Sequence, residues 1–311
     1  MTAHLENHWL QPISPMLASF GEQPFDDENY WFDVKWGRHL LLHKQGGRVE
    51  AYTRFGRRVT EQLPETRDAA EEVRDETVVL ACEGIVLQNG RPVFDAYLHR
   101  LRLTNSVSIQ KALVSHPVTF VALDVLISNG REQFQTRLQE RKVRLREMCT
   151  GTSGVLMVPP YLRGEGKRLY AEAKARGLEG IVAKRVGSLY TPNLRSKDWI
   201  KIKVPHEIDC LILGYRPDPP FALVLGLHFP TVPAKPVGTV EQGITPEEAA
   251  AFTEIAARIH IRRNGAVQEI QPRLCCRVQY RDITEMHQLR QTAFHGFLVD
   301  KNPEDCCWHG G

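Results

Sequence analysis

Turn signals punctuate the first half of this chain and set apart the runs that read as strands. Gly46–Gly47, Asn89–Gly90 and Asn129–Gly130 each follow a run of alternating or β-branched residues, and such pairs favour the positive-φ backbone of a tight hairpin turn. WFDVKW and HLLLHK precede the first turn and RVEAYTR follows it. Residues 31–59 therefore read as strand, turn, strand with the period-two alternation of a half-buried sheet. Further strands are expected over Val78–Leu87, Val118–Ile127, Gly180–Lys184 and Asp198–Val204. Helices are expected at 61–75 (charged and exposed), at 135–149 (basic and amphipathic) and at 165–177, where Gly177 closes the run. Pro12, Pro15 and Pro24 make the first 30 residues read as loop.

Pro205 ends this pattern. Residues 208–240 read as short strands broken by Pro and Gly, Thr245–Pro246–Glu247–Glu248 announces a helix at 246–260, and strand returns at 274–280. Strands with one inserted helix suggest a small β-barrel. The expected fold class is α+β, with one domain over residues 1–205 and a second over 206–311.

With 42% hydrophobic residues there is enough apolar material for a sizeable core. The formal net charge of +3 places no demand for a polyanionic partner on the chain as a whole. The most apolar stretch, Phe221–Phe229, falls far short of the roughly 20 residues a membrane span requires. The N-terminus lacks a basic region followed by an apolar one, so a cytoplasmic protein is expected. Seven cysteines include the adjacent pairs Cys275–Cys276 and Cys306–Cys307, without the two-residue gap of a metal knuckle. Reduced thiols are the favoured reading, with His309 beside Cys306 and Cys307 as the alternative of a metal site in the tail.

Four stretches carry charges that an ordinary sheet does not call for. Lys35 ends the strand WFDVKW just before a glycine. Glu83 lies inside the apolar run VVLACEGIVL, where a lone carboxylate is costly unless paired or bound to a metal. In GLEGIVAKR, Glu179 and Lys184 flank another short apolar strand. In SKDWIKIKV, Lys201 and Lys203 alternate with Ile200, Ile202 and Val204, so both lysines take one face. From Lys184 to Lys203 there are six basic residues and one acid, Asp198, a local excess suited to a phosphate-bearing partner. The competing reading of each is a solvated charge on a sheet face.

Together these stretches resemble the ordered motifs of the ATP-dependent DNA ligases of the covalent nucleotidyltransferase superfamily. The resemblance is nearest to the small bacterial ligases and the ligase module of the bacterial end-joining ligase. Pro15–Ala18 resembles the family's opening PMLA, Asp33–Trp36 its nucleotidyl-lysine motif, and Thr53–Gly56 the SRxG companion. FVALDVLISNGR resembles the strand backing the adenine pocket, RLQERKVRLREM the helix after it, and LRQTAFHGFLVDKNPED the end of the second domain; GLEGIVAKR and WIKIK match the remaining nucleotide motifs. Six motifs in the family's order are strong where one would be weak. The chain departs from the pattern in three places. Lys35–Trp36–Gly37–Arg38–His39 is one residue short and lacks the motif's Asp, Cys82 stands before Glu83 where an Asp–Gly is usual, and Leu123 replaces an aromatic.

The resemblance implies an adenylation domain over 1–205 with antiparallel sheets, and an OB-fold β-barrel over 206–311. It implies sealing of 5′-phosphate/3′-hydroxyl nicks through a lysyl-AMP intermediate on Lys35, with ATP and Mg2+ (or Mn2+) as cofactors. Lys35, Lys201 and Lys203 are then the catalytic candidates. Asp33, Val34, Arg38, Arg54, Glu83, Glu179 and Lys184 join them around the nucleotide, with Glu83 and Glu179 as metal ligands. Nearby positive charge from Lys201, Lys203 and the metal is expected to lower the pKa of Lys35. Arg258, Arg262, Arg263, Arg273, Arg277 and Arg281 are the expected basic face of the second domain. Nicked duplex DNA is the implied partner, with a Ku-like end-binding protein as a further candidate, and the chain is expected to work as a monomer. Two alternatives are a weakened homologue that only binds DNA ends, and an RNA ligase or capping enzyme. The PMLA opening and LRQTAFHGF ending speak against the latter. An NAD-dependent ligase is disfavoured, because only 34 residues precede Lys35.

Overall fold

The computed structural model describes residues 12–150 and 154–308. His309, and with it the tail cysteine–histidine grouping, lies outside the described residues, as do the first eleven positions. The chain divides into two compact units, one ending at Val204 and the other beginning at Pro205.

The first unit holds two sheets. A five-stranded sheet runs in the order Leu17–Phe20, Arg195–Lys203, Gly180–Arg185, Tyr30–Val34, Leu162–Arg163. All its pairings are antiparallel except that of Leu17–Phe20, which lies parallel to Arg195–Lys203. The main path of a seven-stranded sheet runs Arg48–Thr53, Arg38–Gln45, Thr77–Gln88, Val118–Ser128, Arg131–Glu132. One face of its central strands is core: Leu40, Leu42, Leu80 and Cys82 pack with Val73, Tyr97, Leu101 and Leu145. The alternate residues Leu41, Val79 and Ala81 pack with Trp199 and Tyr190 from the other sheet's side. Alternation thus gives the central strands two buried faces, which is why VVLACEGIVL is almost continuously apolar.

The second unit is built around the eleven-residue strand His206–Arg216. One edge pairs with Ala222–Phe229; the other pairs first with Cys275–Tyr280 and then, from Gly214, with Val267–Ile270. On the edge shared with Ala222–Phe229 the register shifts at Ile212/Gly214. Gly214 is required there, since a Cβ would fall 2.7 Å from the Gln268 carbonyl oxygen. Helix Pro246–Ala257 starts at a full capping box between Thr245 and Glu248, with proline in its first turn.

The structure corrects several sequence expectations. Leu17–Phe20 is a strand rather than loop, because strand Arg195–Lys203 supplies a distant edge for it. The helix expected at 61–75 is only Thr66–Glu71, and it is not simply exposed: Ala69 and Ala70 are buried. Beside it, buried Arg100 forks onto Glu65 at 2.6 and 2.9 Å. Helices Phe94–Arg102 and Ser106–Ser115 were not foreseen; the first puts Tyr97 and Leu101 into the core. Among the described residues, no helix is long and apolar enough to cross a membrane.

Candidate active site

Strand alternation sorts the candidate residues before any side-chain contact is considered. On Tyr30–Val34, Phe32 and Val34 face the apolar layer under helix Gly166–Ala175, together with Ile181, Ala183 and Ile202. Asp33 faces the other way. The register pairs Asp33 with Val182, Val182 with Lys201, Gly180 with Lys203, and Lys184 with both Trp31 and Trp199. Lys184, Lys201 and Lys203 therefore share the face of Asp33. Val34, expected among the nucleotide contacts, is on the opposite face; alternation separates it from Asp33 and leaves it only a backbone role.

Lys35 sits just past the end of this strand. Its amide donates to the Gly180 carbonyl at 2.9 Å. That approach needs glycine, since Gly180 has φ +142° and a Cβ would lie 2.2 Å from the Ile202 oxygen. Lys35 Nζ donates to Glu83 Oε1 at 2.6 Å and to the Gly37 carbonyl, and Glu179 Oε2 lies 3.5 Å away. Glu83 Oε2 accepts the amides of Trp36 and Gly37, each at 2.8 Å. Glu179 Oε1 accepts from buried Lys203. Lys35, Glu83, Glu179 and Lys203 thus form one connected chain of alternating charge.

The electrostatics reverse the expectation for Lys35. Burial pushes its pKa down, but attraction to Glu179 and Glu83 outweighs that and raises it, so the amine is protonated at neutral pH. Lys203 is paired with Glu179, and Lys201 places its ammonium 3.9 Å over the Phe20 ring. Burial likewise opposes ionisation of Glu179, yet Lys35 and Lys203 bring its pKa to about 2.

Asp33 anchors a second cluster. It is 1% exposed and pairs with Lys184 at 2.7 Å and with Lys142 at 3.0 Å. Burial would raise its pKa, but the two ammonium groups hold it below the usual carboxylate range. Lys142 lies below the ordinary lysine value through burial, with Lys184's like charge adding to that against the pull of Asp33. Sequence reasoning missed Lys142, although its spacing from Leu138 and Leu145 already puts it on the inner face of helix Leu138–Met148.

The remaining candidates lie around these clusters. Arg38 stacks on Phe94 at 4.4 Å, and its charge acts on Lys35 and Glu179. Arg54 covers the ring of Phe55, itself 74% exposed in a tight turn. Leu123 is half-buried at a bulge of strand Val118–Ser128. His39, also unforeseen, pairs across the sheet with Glu83. Burial, then the charges of Lys35, Arg54 and Lys184, push its pKa to about 3, so the ring is neutral. The basic window 184–203 is less open than its composition implied: Lys184, Lys203 and Arg185 are paired with Asp33, Glu179 and Asp198. In the second unit, Arg277 and Arg262 are paired with Asp209 and Glu269. Among the described residues, no group of three or more His, Cys, Asp or Glu is placed to hold a metal by itself.

Residues 15–203 match the family described as "ATP dependent DNA ligase domain". The multifunctional non-homologous end joining DNA repair protein LigD of Mycobacterium tuberculosis is 31% identical over 313 residues, covering 94% of this chain and 39% of that protein. A DNA ligase of Thermococcus fumicolans is 29% identical, covering 95% of this chain and 57% of its own length. The chain thus spans about two-fifths of the end-joining relatives it matches. Among solved structures, the ligase domain of M. tuberculosis LigD is 30% identical with a TM-score of 0.55, covering 95% of this chain and 98% of that one. A mycobacterial DNA ligase D complexed with ATP and MES is 29% identical, also with a TM-score of 0.55, and covers 94% of this chain and 97% of that one.

Proposed function

This chain belongs to the ATP-dependent DNA ligase family, and on that footing we propose that it joins a 5′-phosphate to a 3′-hydroxyl at nicks in duplex DNA, with Lys35 carrying AMP between ATP and the DNA. The observation that carries this reading is a primary amine held between two carboxylates, Glu83 and Glu179, inside the span that matches the family.

In the first step Lys35 Nζ attacks the α-phosphorus of ATP. The ammonium loses one proton to solvent to become nucleophilic. A P–N bond then forms as the bond to pyrophosphate breaks, and the nitrogen releases a second proton to the departing pyrophosphate or solvent. Lys35 is charged beforehand, so the hold of the carboxylates has to loosen before the amine is nucleophilic. Glu179 fits a hard divalent cation: its carboxyl is ionised at neutral pH, and both its oxygens face ammonium groups that a cation can displace. Mg2+ or Mn2+ held there would compete with Lys35 for that carboxylate and screen the triphosphate. Lys203 and Lys201, on the same face, offset phosphate charge as pyrophosphate departs. Asp33 remains ionised and is assigned as acceptor for the adenine amino group, with Lys184 and Lys142 fixing its orientation. Arg38 and Arg54 are assigned to ribose or phosphate oxygens, for which a planar fork of donors is suited.

In the second step a DNA 5′-phosphate oxygen attacks the AMP phosphorus, the P–N bond breaks and Lys35 recovers a proton. In the third, the 3′-hydroxyl attacks the 5′-phosphorus and AMP leaves. The second unit, read as an OB-fold, would add sequence-independent phosphate contacts through arginines such as Arg258, Arg273 and Arg281. The same proposal has a monomer acting in the cytoplasm, with a Ku-like end-binding protein as candidate recruiter.

Incubation with ATP labelled at the α-phosphate and Mg2+, followed by peptide mapping, tests the reading. Label on Lys35, lost in Lys35→Ala and Lys35→Arg, is the expected result; label on Lys44 or Lys184 refutes the assignment. A homologue that only binds DNA ends would bind duplex and retain no AMP.

A further inference from the structure

We propose that Glu83 is a positioning residue that folds and holds the turn carrying Lys35, and that it leaves the divalent cation to Glu179. This deepens the ligase reading and rests on it for the identity of the reaction.

The turn Lys35–Arg38 contains no carboxylate of its own, so the negative charge within it comes across the sheet. The register sets Arg38 opposite Gly84 and His39 opposite Glu83, and the Glu83 side chain reaches back beneath the turn. There it accepts three donors: the Trp36 and Gly37 amides on Oε2, each at 2.8 Å, and Lys35 Nζ on Oε1 at 2.6 Å. A carboxylate offers about four lone-pair sites. Both sites on Oε2 are therefore occupied by backbone amides, and one remains on Oε1. Those two amides precede strand Arg38–Gln45 and have no ladder partner in it. Left unsatisfied in this partly buried turn, each would cost part of the desolvation of a peptide group.

Steric fit closes the turn on the same strand. A Cβ on Gly37 would fall 2.6 Å from the Gly84 carbonyl oxygen and 2.6 Å from Ile85. The backbone of Lys35 is fixed from the other side by the Gly180 carbonyl. The lysine is thus held between two sheets, and Glu83 is what ties its turn to the second of them. A cation spanning both oxygens of Glu83 would strip the two amides from Oε2 and displace Lys35 from Oε1, whereas the carboxylate of Glu179 meets the ammonium groups of Lys35 and Lys203.

The test measures the rate of self-adenylation against Mg2+ concentration for the wild type, Glu83→Gln, Glu83→Ala and Glu179→Gln. Glutamine keeps a carbonyl oxygen for the two amides; alanine does not. Glu83→Gln should stay within about tenfold of wild type at saturating ATP, and Glu83→Ala should fall about a hundredfold or more below it. The Mg2+ concentration for half-maximal rate should be unchanged in both Glu83 variants and raised severalfold in Glu179→Gln. A raised Mg2+ requirement in Glu83→Gln makes Glu83 a metal ligand and overturns the proposal, as does equal loss of rate in the glutamine and alanine variants. Hydrogen exchange at the Trp36 and Gly37 amides supplies a readout without turnover: fast exchange in Glu83→Ala and protection in Glu83→Gln are expected, and protection in both refutes the clamp. If the wild type retains no AMP, the ligase reading fails, and the exchange experiment still decides the role of Glu83.

Discussion

Removing Asp33 and removing Lys142 should have very different consequences, although the two side chains touch. Asp33 is the carboxylate shared by Lys142 and Lys184, all three being buried. Asp33→Asn leaves two ammonium groups in low dielectric without their common counter-ion, a change that typically costs about 3–5 kcal/mol. Lys142→Met removes one of two like charges and leaves Asp33 paired with Lys184 at 2.7 Å, so its cost should stay near ~1 kcal/mol or below. For a unit of this size a kilocalorie corresponds to about 2–4 °C, which puts the melting shift of Asp33→Asn at about 6–20 °C and that of Lys142→Met at about 4 °C or less. Tryptophan fluorescence suits the measurement, since the Lys184 ammonium lies 4.7 Å over the Trp199 ring. The pH dependence follows from the directions of the shifts. Asp33 has a depressed folded pKa, so its contribution is present above ~3.9 and is lost as pH falls through the folded value. Lys142 is also depressed, so its charged form is a penalty that is relieved as pH climbs toward ~10.4. Wild type should therefore gain on Lys142→Met at alkaline pH, and the gap between wild type and Asp33→Asn should close in acid. Equal destabilisation by Asp33→Asn and Lys142→Met would refute the idea of one carboxylate serving two buried cations.

Three further outcomes follow from the site. His39 is neutral with a folded pKa of about 3, so the folded state loses stability as pH drops from the unfolded value of ~6.5; His39→Gln should flatten that limb in acid urea titrations, and an unchanged slope would place the ring in water. Gly180→Ala meets the Ile202 carbonyl at 2.2 Å in a backbone region that disfavours a side chain; we expect a loss of about 2 kcal/mol or more, and a melting point within a degree of wild type would contradict it. Lys203→Met should slow self-adenylation more than Lys201→Met, because Lys203 is buried and holds Glu179, while affinity for nicked duplex at moderate salt should change little in either. Parallel loss of DNA affinity with normal AMP uptake would assign both lysines to the DNA surface instead.

Much of this site could be read from local pattern alone. Period-two alternation suffices to put Lys201 and Lys203 on one face, and the Asn89–Gly90 turn signal suffices to mark the end of the strand that carries Glu83. These are properties of a few consecutive residues, determined by backbone geometry. The capped helix after Thr245 was legible for the same reason. Pairing between distant segments was not. Leu17–Phe20 looked like loop until strand Arg195–Lys203 provided an edge, and Lys142 looked like one more charge on a basic helix until Asp33 faced it across 109 positions. The protonation of Lys35 is the clearest case. Composition pointed to a crowd of lysines that would lower its pKa, but the folded chain pairs Lys203 with Glu179 and Lys184 with Asp33, and leaves Lys35 between Glu83 and Glu179. Which residues carry charge is written in the sequence. Which charges lie within 3 or 4 Å of one another, shielded from water, depends on tertiary packing, and at that range the nearest partner outweighs the net count.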